Sequence, residues 1–351
     1  MTDVEENIKA EENNFCYLCG EKGDVLYKDL HDTLFGAKGH WGLKRCSNKS
    51  CSLIWVDPMP SPKEIKKLYV DYYTHTDHSA KITTIIKESS ILKAYHYVKD
   101  GYLAWRFGYY TSYSTMQKIM GLSLYLLPRR RSIIDRSILW LRANNGGRLL
   151  DLGCGNGKFL ESLPSGWQLE GVEVDADAVE IATSRGLKVR LGSLEEQQYP
   201  DNIFDVITMN HVIEHIHDPL LLFKECQRIL KPHGKLVLIT PNSESLGQRI
   251  FKHNWRGLEV PRHLYIFSCK ALRTLARKAG FQGIDLASTG LFAEKYYITS
   301  RAIATGKGYI PPYYKGTIME RLTAAGYYFL EKLLMIFNSD LGEEIFLVAT
   351  K

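Results

Sequence analysis

From Gly147 onward the chain alternates short apolar runs with amphipathic segments of helical period, and this alternation narrows its fold more than any other feature. "RLLDLG" reads as a strand, "GKFLESLP" as a helix, "QLEGVEVD" as a strand, "ADAVEIATSRG" as a helix and "KVRLGS" as a strand. "FDVITMNHVIEH" runs from strand into loop, "DPLLLFKECQRILKPHG" reads as a helix closed by its glycine, and "KLVLITPN" as the next strand. Apolar runs of this length separated by helices build βαβ units, so the expected architecture is α/β, a parallel sheet covered by helices on both faces. "SCKALRTLARKAG" adds a helix capped by Ser268, and "FQGIDLAST" and "EEIFLVATK" two more strands. Between those last strands, residues 291–342 carry an aromatic and apolar helical pattern long enough for a lid or substrate-binding insertion.

Ahead of the alternating region lie four cysteines, Cys16, Cys19, Cys46 and Cys51, spaced C-x2-C, 26 residues, C-x4-C. Two close pairs separated by a hairpin-sized segment suit a tetrahedral thiolate site, because each pair wraps one edge of a zinc ion while the segment between folds back. Four cysteine ligands leave no position for water, so the expected Zn2+ is structural. Two disulfides are the competing reading, disfavoured in a reducing compartment. His31 and His40 lie between the pairs and read as loop histidines or substitute ligands. The expected division is a zinc-ribbon module at 1–60, a helical linker or lid at 61–145, and the α/β domain at 146–351 with its insertion at 291–342.

The 351-residue chain is 45% apolar and 24% charged, the composition of a globular protein with a sizeable core. Its N-terminus is acidic and polar without an export layout, and "IMGLSLYLLP" is too short to span a bilayer, so a cytoplasmic location is expected. Net charge is +6, but the basic residues are scattered apart from Arg129 to Arg131. No dense basic stripe with interleaved aromatics is present, which disfavours a nucleic-acid partner. The "SLYLLPRRR" stretch reads either as a solvated helix end or as a peripheral contact with a membrane surface.

In an open α/β sheet the ligand sits beyond the carboxyl ends of the strands. After the first strand comes "DLGCGNGKF", whose glycines at 153, 155 and 157 match neither G-x-G-x-x-G nor the phosphate loop. Glu173 follows Asp151 by 22 residues, where an acid accepts hydrogen bonds from ribose hydroxyls. Asp151 beside the loop attracts an ammonium and repels a phosphate. A ligand with a ribose, an amino-acid end and a positive charge is S-adenosylmethionine.

"LLDLGCGNGKFLESL", "LEGVEVDADAVEIA" and "FDVITMNHVIEHIHDPLLLFKECQRILKPHGKLVLITPN", three stretches that carry four motifs in order, resemble class I S-adenosylmethionine-dependent methyltransferases. The resemblance covers about 145–290 and the terminal strand. It implies a Rossmann-like, mostly parallel sheet with an antiparallel last strand, carrying helical insertions and the N-terminal zinc-binding module. Carried over by position, Asp151, Gly153 and Gly155 border the methionine part, with Cys154 and Gly157 in the same loop. Glu173 grips the ribose, with Val174 beside it; Ser193 and Leu194 lie by the adenine, and Asn210 and His211 face the sulfonium. Many relatives have an acid where this chain has Ser193. Cys154 reads as a small buried side chain between glycines, not a nucleophile.

Methyl transfer is an in-line displacement that needs positioning and often a base for the acceptor's proton. His211, His215 and His217 in "HVIEHIHDP" and His263 in "VPRHLYIFS" are candidates. The cysteine module, "LYVDYYTH" and "RHLYIFS" resemble bacterial sugar C-methyltransferases with an N-terminal zinc ribbon. That resemblance implies His263 as the base and Tyr72 or Tyr73 closing over the acceptor. Arg262 stands where that subfamily has glutamate, and the resemblance does not extend to the additional C-terminal domain of those enzymes. Loop docking is the other reading of His263, and loop organisation that of His215. Glu214 and His215 also suit a divalent metal, as in relatives that methylate catechol-like rings.

The expected function is methyl transfer to a small or medium acceptor, a nucleotide-linked sugar or a glycan or lipid precursor of the cell surface. The alternatives are an O-methyltransferase of a quinone-like or aromatic lipid and, outside catalysis, a cofactor-binding scaffold with a zinc-ribbon interaction module.

Overall fold

A computed structural model describes residues 8–69, 90–110, 112–144, 146–307, 314 and 316–351. Tyr72 and Tyr73 lie outside the described residues. The chain forms two compact units: the described residues of Met1–Tyr73, Met209–Gln227 and Leu238–Lys351 make one, and those of Thr74–Thr208 and Arg228–Val237 the other.

In chain order the N-terminal segment gives β1 (Ala10–Glu11), β2 (Gly23–Leu30), β3 (Trp41–Cys46), β4 (Ile54–Asp57) and β5 (Met59–Pro60). Three helices follow, α1 (Ser90–Phe107), α2 (Thr115–Gly121) and α3 (Pro128–Ser137). The alternating region then runs β6 (Gly147–Leu152), α4 (Lys158–Ser162), β7 (Trp167–Glu173), α5 (Ala176–Ser184), β8 (Val189–Leu191), β9 (Phe204–Asn210), α6 (Pro219–Ile229) and β10 (Leu230–Pro241). After it come α7 (Leu246–Phe251), β11 (Tyr265–Ile266), α8 (Cys269–Lys278), β12 (Gly283–Thr289), α9 (Ala293–Ala304), α10 (Ile318–Phe337) and β13 (Glu344–Thr350).

Seven strands form one sheet in the order β12-β13-β10-β9-β6-β7-β8. β6 pairs in parallel with β7, and β7 with β8; β13 sits between β10 and β12 and runs antiparallel to β12. This is the Rossmann-like sheet of the class I fold, mostly parallel. Strand order reverses at β6, flanked by β7 and β9, which makes its carboxyl end the topological switch point. Leu149, Leu150, Ile207, Leu236, Leu238, Ile345 and Leu347 on the central strands are buried, each side chain contributing roughly 1.5–3 kcal/mol of transfer free energy.

One boundary differs from the sequence reading. The helix expected to run to Gly234 ends at Ile229, and residues 230–234 already belong to β10. Pro232 lacks an amide hydrogen and pushes Lys231 toward extended backbone, so the helix cannot continue to the glycine.

The N-terminal strands form a second sheet, β11-β4-β3-β2, in which β11 pairs antiparallel with β4 through Tyr265↔Trp55 and Ile266↔Ile54. The stretch carrying His263 therefore leads directly into a strand of the cysteine module's own sheet. Ser268 caps α8, its hydroxyl accepting from Ala271 N at 3.0 Å and donating to Cys51 O at 2.7 Å. No helix among the described residues is long and apolar enough to cross a membrane.

Candidate functional site

The loop after β6 is shaped by backbone that L side chains rarely adopt. Gly153, Gly155 and Gly157 have φ of 63°, 53° and 81°. A Cβ at Gly157 would run into Leu187, whereas at Gly155 it would meet nothing within 4 Å, so there the glycine serves the backbone turn. The carboxylate of Glu173 organises the loop: Oε2 accepts from Gly155 N at 2.7 Å, and Oε1 from Val174 N at 2.8 Å and Asp175 N at 3.1 Å. Sequence alone places Glu173 near a ribose; the structure also makes it the support of the glycine loop.

Asp151 is buried and accepts from Thr208 Oγ1 at 2.6 Å. Burial raises its carboxyl to about 7 against that hydrogen bond, with the nearby Glu173 charge adding to the rise. Cys154 is buried against Gly171, and burial pushes its thiol well up, with Asp151 and Glu173 adding to the effect. An inert thiol is the result. Val174 is exposed and offers an apolar surface beside Glu173. Leu194 is buried, and Ser193 N donates to Glu196 Oε2 at 2.7 Å. A carboxylate, that of Glu196, therefore lies against the main chain of Ser193.

The other unit holds the histidines. Asn210 is exposed at the end of β9, and His211 follows with φ of 57°. His211 Nδ1 meets Glu214 Oε1 at 3.1 Å and Nε2 meets Glu344 Oε1 at 3.0 Å. Although desolvation opposes it, these two carboxylates raise the imidazole well above its ordinary value. Glu214 is fully buried and its Oε2 accepts from Thr240 Oγ1 at 2.9 Å; the His211 contact holds it far below the usual carboxylate range against its own burial. His211 is therefore a charged clamp between Glu214 and Glu344.

His215 and His263 lie with ring centroids 4.8 Å apart at 71°. His263 Nδ1 is 2.8 Å from Gly257 O, and His215 Nδ1 is 3.1 Å from Arg262 O. An imidazole held at Nδ1 by a carbonyl carries its proton there and, when neutral, presents Nε2 as a lone pair. Burial lowers His263 to about 4, so it is neutral at physiological pH. Tyr69 OH lies 2.9 Å from His215 Nδ1. Tyr69 stands at the end of the 3-10 turn Pro62–Tyr69, beside the buried Leu68, three residues before the tyrosines favoured from sequence. His217 is engaged elsewhere, Nε2 at 2.8 Å from Pro60 O.

Arg262 does not take the place of a catalytic glutamate. It is buried, with Nη1 and Nη2 on Asp32 at 2.7 and 2.9 Å, Nε on Glu259 Oε1 at 3.2 Å, and its guanidinium 4.2 Å over the Phe35 ring. The carboxylate nearest His263 is Glu259, 3.8 Å from Nε2. Glu214, His215 and His263 can each direct one ligand atom to a common point, the atoms lying within 4.8 Å of one another.

The four cysteines are free thiols brought together, Cys16 Sγ to Cys51 Sγ at 3.7 Å and Cys19 Sγ to Cys46 Sγ at 3.4 Å, all four within 4.8 Å. Tetrahedral Zn–S bonds of about 2.3 Å put sulfurs about 3.8 Å apart, so the cluster is consistent with a zinc-binding module. Gly20 turns the first pair at φ 76°. Asp29, His31 and His40 form a separate, exposed group.

Residues 127–286 match a family model described as a methyltransferase domain. An uncharacterised protein of Methanocaldococcus jannaschii is 25% identical over 162 residues, covering 46% of this chain and 77% of its own. A ubiquinone biosynthesis O-methyltransferase of Xanthomonas oryzae pv. oryzae is 35% identical over 105 residues, covering 28% of this chain and 44% of its own, so the chain spans under half the length of that relative. Among solved structures, a SAM-dependent methyltransferase of Thermotoga maritima is 25% identical with a TM-score of 0.40, covering 58% of this chain and 82% of that one.

Proposed function

We propose that this chain, which carries a domain of the class I S-adenosylmethionine-dependent methyltransferase fold, methylates a hydroxyl oxygen on a quinone-like or other aromatic small molecule. The observation that carries this reading is the pair His215 and His263, two imidazoles 4.8 Å apart whose Nδ1 atoms rest on carbonyls. Such lone pairs suit an acceptor that must shed an O–H proton. In the transfer the acceptor oxygen bonds the methyl carbon, the carbon–sulfonium bond breaks, S-adenosylhomocysteine leaves, and the hydroxyl proton passes to imidazole.

The chain's groups divide the work. The glycine loop and Glu173 hold the cofactor's methionine and ribose parts, Val174 and Leu194 its adenine, and Asp151 its positive charge. Tyr69 orients His215, which with His263 faces the acceptor. The 35% identity to a ubiquinone-pathway O-methyltransferase supports the ring-hydroxyl reading over a nucleotide sugar. Arg262, turned onto Asp32, supports it too, because the sugar-enzyme pattern wants a glutamate there. The four-cysteine cluster holds a structural zinc ion in this proposal.

Labelled-methyl transfer with purified protein tests the reading, comparing a catechol bearing a prenyl chain with a panel of nucleotide sugars. Transfer to the catechol is expected, with His215→Ala and His263→Ala each lowering kcat by about 10²–10⁴. Transfer to a nucleotide sugar alone, or full turnover in both variants, overturns it.

A further inference from the structure

We propose that α10 is an interfacial helix that lays its outer face into the headgroup region of an anionic lipid bilayer. Its exposed positions are Ile318, Met319, Leu322, Phe329, Leu330, Leu333, Ile336 and Phe337, recurring at helical spacing along all 20 residues. Phe329 is 70% exposed, Ile336 76% and Phe337 82%. A helix of that length runs about 30 Å, and soluble monomers rarely leave so long an apolar stripe in water. The opposite face is packed: Tyr327 joins Leu246 and Ala293, with Tyr297, Tyr328 and Leu334 against them.

Charge identifies the occupant. The helix has four charged residues, and they are sorted by sign: Glu320 and Glu331 are buried, while Arg321 and Lys332 are exposed. The outer face thus presents apolar side chains with only positive charges, which attract anionic headgroups and can snorkel past the apolar residues. A second copy fits less well, since pairing two such faces in either direction brings cation toward cation with no exposed acid on the helix to answer it. The other unit repeats the combination independently. Met116, Ile119, Leu122, Leu126 and Leu127 are exposed there, Leu126 at 84%, and lead into Arg129 and Arg130. The proposal stands on these surfaces and not on the acceptor's identity; joined to the proposed function, it gives a lipid-borne ring a route to the enzyme.

Flotation of the full-length protein with vesicles of phosphatidylcholine, with and without phosphatidylglycerol, tests it. Binding is expected to require phosphatidylglycerol and to weaken with salt, and Phe329→Glu/Phe337→Glu should cut partitioning by at least about tenfold. Arg129→Gln/Arg130→Gln should weaken binding to the phosphatidylglycerol vesicles and flatten its salt dependence. Because these side chains are exposed, cofactor binding in the same variants should stay at the wild-type level, which separates loss of docking from misfolding and from failure of the methyltransferase reading. Wild-type protein that ignores both vesicles overturns the proposal. So does a dimer in light scattering that Phe329→Glu/Phe337→Glu dissociates without any vesicle binding in the wild type, the result expected if a second copy covers the face.

Discussion

Arg262 sits with both terminal nitrogens on the carboxylate of Asp32, a residue 230 positions earlier, and neither side chain is open to solvent. Asp32 also accepts from Leu34 N, Phe35 N and Ala37 N at 3.0, 3.1 and 2.8 Å, so one carboxylate both closes the hairpin between the cysteine pairs and anchors the loop before His263. Arg262→Ala should destabilise the protein by about 3–5 kcal/mol, since it strands a buried acid. Replacing both partners, as in Asp32→Leu/Arg262→Met, should cost less than the single change. Urea unfolding of the two variants measures the difference.

Under the proposed function, Asp151 should tie cofactor binding to pH. Its carboxyl lies near 7 when buried beside Glu173, and a bound cation favours the ionised form. Binding therefore releases a proton below about pH 7, so S-adenosylmethionine affinity should rise with pH up to that value and level off above it. Calorimetry in buffers of different ionisation heat reads the proton directly. In Asp151→Asn the pH dependence should vanish.

The role of Glu173 is checked by its removal. Glu173→Ala unpins Gly155 and Val174 and, in the proposed function, removes the partner of the ribose hydroxyls, so cofactor affinity should fall by about tenfold to a hundredfold. Glu173→Gln should keep part of it. Unchanged affinity in the alanine variant would refute the assignment.

Glu331 is a buried acid whose two oxygens find no well-formed hydrogen bond among the described residues, and burial, with the Glu343 charge adding to it, raises its carboxyl to about 8. A carboxyl raised in the folded state binds its proton more tightly there than when unfolded. Its penalty is absent below about pH 4.5 and grows as pH climbs toward 8. Glu331→Leu should accordingly be more stable than wild type at pH 8 by roughly 2–4 kcal/mol and nearly equal to it at pH 4. Thermal unfolding across that range decides the matter.

Metal content tests the cysteine cluster. Protein purified under reducing conditions should carry one zinc ion per chain, and its removal or Cys16→Ser should lower Tm and open the N-terminal sheet to proteolysis. Zinc-free protein of unchanged Tm would contradict the structural role.

The features legible along the chain are those written over short spans. The period of apolar residues tells strands from helices through residues 147–290 apart from 230–234, the C-x2-C and C-x4-C spacings foretell the cysteine cluster, and the three glycines announce the turn after β6. Each depends on neighbours a few residues apart or on one βαβ unit, where geometry follows from local backbone. Side-chain partners, by contrast, come from segments far apart along the chain. Tyr69 reaches His215 across 146 positions, Arg262 finds Asp32 across 230, His211 is clamped by Glu344 across 133, and β11 joins the cysteine module's sheet. The tertiary structure also turned Glu320 and Glu331 inward and left the apolar face of α10 in water. A side chain's partner, and which face of a helix is covered, depend on where distant segments come to lie, and no local periodicity encodes that.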